Sequence, residues 1–412
     1  MKTSTTTEPP EATRLREACV DQLKADEVIV SSAVETVMRR VPRHAFALHA
    51  SLGDAYSPYA AVITKTGENG VQLSSVSAPQ IQAMMLEQAQ LKRGDRVLEI
   101  GSGGLNAAYL AELVGEEANV TTVDIDPEVT DRARRLLDAH GYTGIRVVTA
   151  DAAEPIPELG EVDVILVTVG AWDIPPVWID QLGPAGRLVV PLRMRGLTRS
   201  VAFQRVIDAH GGHLESTTSL VCGFVPMQGS DQHDETQILV NGTPEIALRF
   251  DDGAPADPHL LDNAVRTPRV ERWTGVTVAL GEPFSGLQMH LAIDLPGFCV
   301  MSVDPQLDTG LVSPRHKGFS PAAVDGDTFA YVTTRRTPDE QRAEFGVHAL
   351  GPNADTFADS VVSSVRAWDR EHRGAPDPHI RVYPAGTPDD AVFGDRVIEK
   401  RHSRISLSWP PA

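Results

Sequence analysis

The stretch Val97-Leu98-Glu99-Ile100-Gly101-Ser102-Gly103-Gly104-Leu105-Asn106 decides the fold. Its first half reads as a short buried strand over 96–100, which enters a glycine-rich turn. An Ala/Leu-rich helix over 106–114 follows. Glycines at the end of a buried strand let backbone amides approach a ligand that a Cβ would exclude. Working outward, 120–125 is a second strand. The segment 128–140 is a helix with Val129, Ala133, Leu136 and Leu137 on one face, stopped by Gly141. Strands at 145–150 and 162–169, a helix at 176–182, a turn at 183–186 and a strand at 187–191 come next. Strands alternating with single helices predict an α/β fold, a doubly wound, Rossmann-like parallel sheet covered on both faces. Runs at 201–207 and 219–225 flank a turn at 209–212 and predict a closing antiparallel hairpin. On the N-terminal side Leu15, Cys19 and Leu23 recur at helical spacing. Val30, Val34, Val37 and Met38 carry the stripe to Pro42, so 13–50 reads as helical.

At 412 residues the chain is too long for one compact core and suits two domains. The polar stretch 229–235 predicts the boundary. Residues 1–12 are expected to be a disordered tail, 13–230 the α/β domain, and 231–412 an α+β domain that helps recognise a peptide. Short β-like runs fill the last part, at 237–240, 245–250, 275–280, 289–295, 298–303, 329–334, 346–350, 380–383 and 404–409. One helix interrupts them at 355–370, with Phe357, Val361, Val365 and Trp368 on one side.

Lys and Arg number 37 against 56 Asp and Glu, a formal −19 shared by both halves. Such a surface repels nucleic-acid phosphate and favours a cationic partner; it equally suits a plain acidic, solvated exterior. No apolar run approaches the roughly 18 residues that span a bilayer, and the N-terminus lacks the apolar core of a signal peptide. Cys19, Cys222 and Cys299 lie far apart, which argues against a disulfide framework or a thiolate zinc site. A cytoplasmic protein without membrane, nucleic-acid or metal partners is therefore expected. His233-Asp234-Glu235 are adjacent on a polar linker, a poor arrangement for chelation. Lys400-Arg401-His402-Ser403-Arg404 reads as a solvated lead-in to the final strand.

Three acids sharpen the glycine turn. Glu99 precedes it by two residues, where it can accept from a cationic amine. Asp124 ends the next strand, the position that binds ribose hydroxyls in doubly wound folds, with Ile125 beside it. Asp151 follows the third strand, where it can accept from an adenine amino group, with Ala152 beside it. With Gly101, Ser102, Gly103 and Asn106 these predict an adenosine ligand, and the Glu-x-Gly-x-Gly form favours S-adenosyl-L-methionine over a dinucleotide. The competing readings are a structural turn for the glycines and a helix-start acid for Asp124. A second signal is Ser74-Ser75-Val76-Ser77-Ala78-Pro79-Gln80. It predicts a helix start, with Ser77 as N-cap and Pro79 in the first turn. A helix N-terminus also suits a substrate carboxylate. Trp172 is expected at the carboxyl edge of the sheet, as a wall of the acceptor cleft or as core.

Six segments occur in one order: Val41-Pro-Arg-His-Ala-Phe46, Ser75-Val-Ser77-Ala-Pro79, Leu98-Glu-Ile-Gly-Ser-Gly103, Val167-Thr-Val-Gly-Ala-Trp-Asp-Ile-Pro-Pro176, Gly186-Arg-Leu-Val-Val-Pro191 and Phe224-Val-Pro226. Together they resemble protein-L-isoaspartate O-methyltransferase over roughly 13–230. The resemblance implies S-adenosyl-L-methionine, with S-adenosyl-L-homocysteine as product, held by Glu99, Gly101, Gly103, Asp124 and Asp151. It implies an acceptor carboxylate beside Ser77, with Ser75 at a threonine position of the family. The departures sit mainly around the acceptor. Gly103-Gly104-Leu105-Asn106 lacks the family's third glycine and tyrosine, and Ser74 replaces a glutamine. The loop 54–73, with Tyr56, Tyr59 and Lys65, is longer than usual, which makes these residues expected substrate contacts. Residues 231–412 have no counterpart in the small repair enzymes.

The Gly-Ser-Gly-Gly-x-Asn turn and the end Lys400-Arg-His-Ser-Arg404-Ile-Ser-Leu-Ser-Trp409 look like a bacterial branch encoded beside ribosomal peptide clusters, including FxLD and imiditide systems. That likeness implies methyl-esterification of an ordinary aspartate in a Lys/Arg-rich precursor peptide, followed by collapse to an aspartimide. Isoaspartate repair and a non-catalytic peptide-binding subunit are the alternatives. Methyl transfer needs no base here, because an aspartate of pKa about 3.9 is already an anion at neutral pH. In-line placement and exclusion of water suffice.

Overall fold

A computed structural model describes residues 8–67, 70, 72–101, 103–207 and 212–410. The chain opens with α1 (Pro10–Ala25), α2 (Ser32–Arg40) and the single turn α3 (Leu52–Ala55). The hairpin β1 (Val62–Thr66) and β2 (Gln72–Val76) leads into α4 (Pro79–Ala89). The doubly wound part is β3 (Val97–Ile100), α5 (Leu105–Val114), β4 (Val120–Asp124), α6 (Pro127–Ala139), β5 (Arg146–Thr149), β6 (Val162–Val167), α7 (Pro176–Gln181) and β7 (Leu182–Met194). Strands β8 (Leu197–Val206) and β9 (His213–Val221) complete the first lobe's forward run; most of their expected turn lies outside the described residues. The second lobe holds β10 (Thr236–Leu239), β11 (Ile246–Phe250), β12 (Val270–Ala279), α8 (Ser285–Asp294), β13 (Phe298–Val303), β14 (Ser320–Asp325), β15 (Thr328–Arg336), β16 (Arg342–Leu350) and α9 (Ala354–Glu371). The chain closes with β17 (His379–Pro384), β18 (Arg396–Glu399) and β19 (Ser403–Ser408).

The large sheet has ten strands in the order β18-β19-β17-β9-β8-β7-β6-β3-β4-β5. Its β7-β6-β3-β4-β5 half is parallel, so the ends of β3, β4 and β6 open on one edge. The helices that cover it have identifiable ends. Asp126 caps α6 by accepting from the Glu128 amide, with Pro127 in the first turn. Gly115, at φ 79°, ends α5 in the left-handed conformation that glycine adopts without strain.

The expected division at 230/231 does not separate two cores. Strands β17 and β19 add to the first sheet, with β17 pairing to β9 at Val382–Leu214 and β19 to β17 at Val382–Ile405. One apolar cluster runs from Leu98, Val167 and Trp178 through Phe298 and Trp368 to Ile405. The chain end therefore belongs to both lobes, because β9 would otherwise present an open edge beside buried Leu214. Other differences are local. Pro10 already begins α1, so the expected tail does not reach residue 12. The expected strand at 289–295 is helix α8, whose Leu287, Met289, Leu291, Ala292 and Ile293 are all buried. An apolar run hidden on most sides carries no period that separates helix from strand. Among the described residues no helix is long and apolar enough to cross a membrane.

Candidate active site

The glycine turn is pinned between two strand ends. The Gly101 amide donates to the Val123 carbonyl at 2.8 Å, and the Thr168 hydroxyl donates to the Gly101 carbonyl at 2.7 Å. Gly101 has φ +97°, and a Cβ there would fall 2.5 Å from Thr168 Oγ1. Among the described residues nothing lies within 4 Å of where a Gly103 Cβ would stand. Ser102 lies outside the described residues.

Below the turn sits a fully buried carboxylate. Glu99 is 0% exposed, and one oxygen accepts from the Thr122 hydroxyl at 2.6 Å. Burial pushes its pKa from 4.5 up to about 7; Thr122 and the facing Asn106 amide oppose that rise. Among the described residues neither Glu99 Oε1 nor Asn106 Nδ2 has a hydrogen-bond partner, although both atoms are buried. Both residues line a cavity with Gly101, Gly103 and Thr168. An unpaired acceptor beside an unpaired donor is the polarity that the ammonium and carboxylate of an amino acid would satisfy. The residues fit the methionine end of S-adenosyl-L-methionine.

A second small cavity follows along the sheet edge, lined by Asp124, Ile125, Ala150, Ala152, Val169 and Met227 among others. The Asp124 carboxylate also accepts from the Asp126 amide at 2.9 Å. Asp151 is differently placed. Its oxygens accept from the Ala153 amide at 2.9 Å and the Ser230 amide at 2.7 Å, and Gly229 packs directly on the carboxylate. It holds the incoming 229–230 segment and does not line this cavity, whereas Ala152 does. Met227 and Gln228, which no sequence signal marks, reach the cavity because the Met227 amide donates to the Gly170 carbonyl at 2.9 Å.

Ser75, Ser77 and Ile81 line the donor cavity and also an adjoining groove of about 680 Å³. Phe224 is shared by both as well, Tyr59, Ile63, Gln72 and Gln80 form other parts of the groove's wall, and none of its described lining residues is charged. The expected helix cap is absent: α4 begins at Pro79 after Ala78, with no side-chain cap. Proline offers no N–H, and the Gln80 amide already donates to the Pro58 carbonyl at 2.9 Å. The first two amide positions of α4 are therefore not available to an anion, and the serine hydroxyls carry more of that role.

Several expected substrate contacts are occupied elsewhere. Tyr56 is buried, with its hydroxyl 2.8 Å from His44 Nδ1. Lys65 is paired to Asp126 at 2.5 Å and Glu128 at 2.6 Å, fastening the hairpin to α6. The Ser74 hydroxyl accepts from Thr64 at 2.9 Å and Arg132 at 3.1 Å. Tyr59 does reach the groove, its hydroxyl bonded to Asp26.

Trp172 lies away from these cavities. It stacks on His233 with centroids 4.1 Å apart, and Lys400 Nζ sits 4.9 Å from its ring. Lys400 is buried, not solvated: its ammonium donates to the Trp172 and Arg193 carbonyls. Burial lowers its pKa to about 8 against the pull of Asp173 and Asp251. Among the described residues no three His, Cys, Asp or Glu side chains form a metal-ligand group.

The sequence pattern contained one positioning residue without revealing its role. Arg43 is 2% exposed, and its guanidinium donates to the Ala55 carbonyl at 2.6 Å, Gln82 Oε1 at 2.6 Å and the Val76 carbonyl at 3.3 Å. It thus joins the N-terminal segment, the end of β2 and α4 on either side of Ser77.

The profile of the family described as protein-L-isoaspartate(D-aspartate) O-methyltransferase matches residues 14–232. A protein-L-isoaspartate O-methyltransferase 2 of Archaeoglobus fulgidus is 36% identical over 218 residues, covering 52% of this chain and 93% of that protein. A Plasmodium falciparum structure in complex with S-adenosyl-L-homocysteine, described as a protein-L-isoaspartate O-methyltransferase β-aspartate methyltransferase, overlays at 17% identity with a TM-score of 0.44, covering 52% of this chain and 98% of that one. A structure described as protein-L-isoaspartate O-methyltransferase overlays at 19% identity with a TM-score of 0.49, covering 95% of this chain and 99% of that one. With the family match spanning more than half of its length, the chain belongs to the protein-L-isoaspartate(D-aspartate) O-methyltransferase family and is an S-adenosyl-L-methionine-dependent methyltransferase.

Proposed function

We propose that the chain methylates an aspartyl-derived carboxylate in a polypeptide, and that the acceptor the comparisons back best is an L-isoaspartyl residue. The observation that carries this reading is the junction at Ser75, Ser77 and Ile81, which the donor cavity shares with a groove of about 680 Å³ that has no charged side chain among its described lining residues. One carboxylate oxygen accepts from a serine hydroxyl while the other attacks the methyl carbon. When bound, S-adenosyl-L-methionine would supply the methyl group, its carbon–sulfur bond breaking as the carbon–oxygen bond forms, with S-adenosyl-L-homocysteine as the second product. The sulfonium supplies the driving force, and the chain supplies alignment and dryness.

A second reading is methylation of an unmodified aspartate in a precursor peptide. It is favoured by the tied-up Ser74 where the family has glutamine, and by a second lobe that shares the first lobe's core. In that case the next residue's amide nitrogen attacks the ester carbonyl and gives up its proton. A carbon–nitrogen bond forms, methanol leaves, and an aspartimide remains. The net charge of −19 supports a Lys/Arg-rich sequence around the acceptor, in the cytoplasm. The deciding experiment offers one peptide sequence in isoaspartyl and aspartyl forms and reads ester and imide by mass. Turnover of the isoaspartyl form alone supports repair, and turnover of the aspartyl form supports the second reading. Turnover of neither would sink both.

A further inference from the structure

The second lobe carries a groove that methyl transfer does not use. It lies between the β12–α8 connection and the end of β15, and it encloses about 240 Å³. That is below the roughly 300–1,000 Å³ of small-molecule sites, and suits one or two side chains of a polypeptide. Its floor is apolar, made by Val278, Phe284, Phe319, Val332 and Phe345, with the Phe284 and Phe345 rings edge to face at 5.9 Å.

Its rim is cationic. Arg335 is held by Glu344 at 2.7 Å, and Glu282, the one carboxylate among the described lining residues, is held by Arg373 at 2.6 Å. Arg315 and Arg336 are exposed on the same rim, and neither guanidinium has an ion-pair partner among the described residues. Two uncommitted guanidiniums over an apolar floor are a local exception on a chain of net −19. The backbone is suited to an extended ligand as well. Pairing of β14 with β15 stops at Ala322–Tyr331, whereas β15 stays paired to β16 as far as Arg336–Ala343. The last five residues of β15 thus have a strand on one side only.

We propose that this groove takes an extended segment of the methylated polypeptide in which apolar side chains alternate with Asp or Glu. The proposal rests on the polypeptide-methylating reading above. It places recognition away from the reacting carboxylate, where binding energy can select one acceptor among many. Calorimetry on the full chain at low ionic strength, with the synthetic probe Asp-Leu-Glu-Phe-Asp, tests it against the control Lys-Leu-Lys-Phe-Lys. The acidic probe should bind, and the double variant Arg315→Glu, Arg336→Glu should weaken it by roughly tenfold or more. Fusing the probe to an acceptor peptide that the chain methylates should lower KM in the parent chain and not in the variant, while the short acceptor is turned over equally by both. Basic-control binding that the double variant weakens as much as it weakens the acidic probe, undiminished acidic-probe binding in the variant, or no KM gain on fusion would overturn the proposal. A change in sedimentation of the variant would overturn it too, by assigning the groove to a second copy of the chain. Probe binding without methylation of any peptide would count against the methyl-transfer reading and for the groove.

Discussion

Glu99 is the residue whose chemistry is most open to measurement. Without a ligand its pKa is about 7, because burial penalises the anion more than Thr122 and Asn106 favour it. The incoming ammonium of the cofactor favours the anion. Below about pH 7 binding must therefore expel a proton, and affinity should fall by up to about tenfold per pH unit while staying flat above. Glu99→Gln should flatten that profile in calorimetric titrations; an unchanged profile would remove Glu99 from the site. The stability sign is opposite. A folded pKa above the ordinary 4.5 means that the native state holds the proton more tightly, so this group costs the unliganded protein stability as pH rises from about 4.5 to about 7. Asp124→Ala should weaken the cofactor by about 1.5–3 kcal/mol per charge-assisted bond lost. Ser77→Ala should lower the methyl-transfer rate with cofactor affinity unchanged, and a parallel loss of both would make Ser77 merely structural. The placing of Glu99 and Asp124 at neighbouring strand ends was legible in the sequence because strand, turn and strand are local, whereas the cap expected of Ser77 is absent. Arg43 and Met227 were not legible as site-builders. Their partners lie 12 to 57 residues away in the chain, and no spacing rule reports such contacts.

The elements show where local reading ends. Strands β3 to β6 and their helices were legible from alternation and glycine stops. Helix α8 was not, because it is buried on most sides. The return of β17 and β19 to the first sheet was also hidden, since a chain's last strands carry no mark of which edge they join. That return has a consequence for truncation. A chain ending at residue 378 should leave β9 unpaired beyond β8 and expose Leu214, which is fully buried in the intact fold. Such a chain should unfold earlier in heat and aggregate. Supplying the 379–408 segment as a peptide should restore part of the loss. A truncated chain with the parental melting temperature would show that the closing strands are dispensable.

Across the whole molecule, charge and shared core set the behaviour. Lys400 bridges the 171–173 loop and β7 from the chain's last segment, and removing its ammonium takes a donor from the Trp172 and Arg193 carbonyls. Lys400→Met should destabilise the fold by about 1–3 kcal/mol in denaturant titration. Its folded pKa of about 8 lies below the ordinary 10.5, so the cost of burying its charge is fully present below about pH 8 and is relieved as pH rises toward 10.5. For the substrate, affinity of a basic acceptor peptide should fall as salt rises, since exposed charge pairs are screened over about 8 Å at physiological ionic strength. Salt-independent binding would leave the −19 without a role in recognition. The central claim is that the methyl group goes to a carboxylate, and the chemistry of the product tests it most directly. With methyl-labelled S-adenosyl-L-methionine and an isoaspartyl or aspartyl peptide, the label should enter the peptide and leave as methanol under mild alkali, as a methyl ester requires. Label that survives alkali, or that never leaves the cofactor in the presence of either peptide, would contradict it.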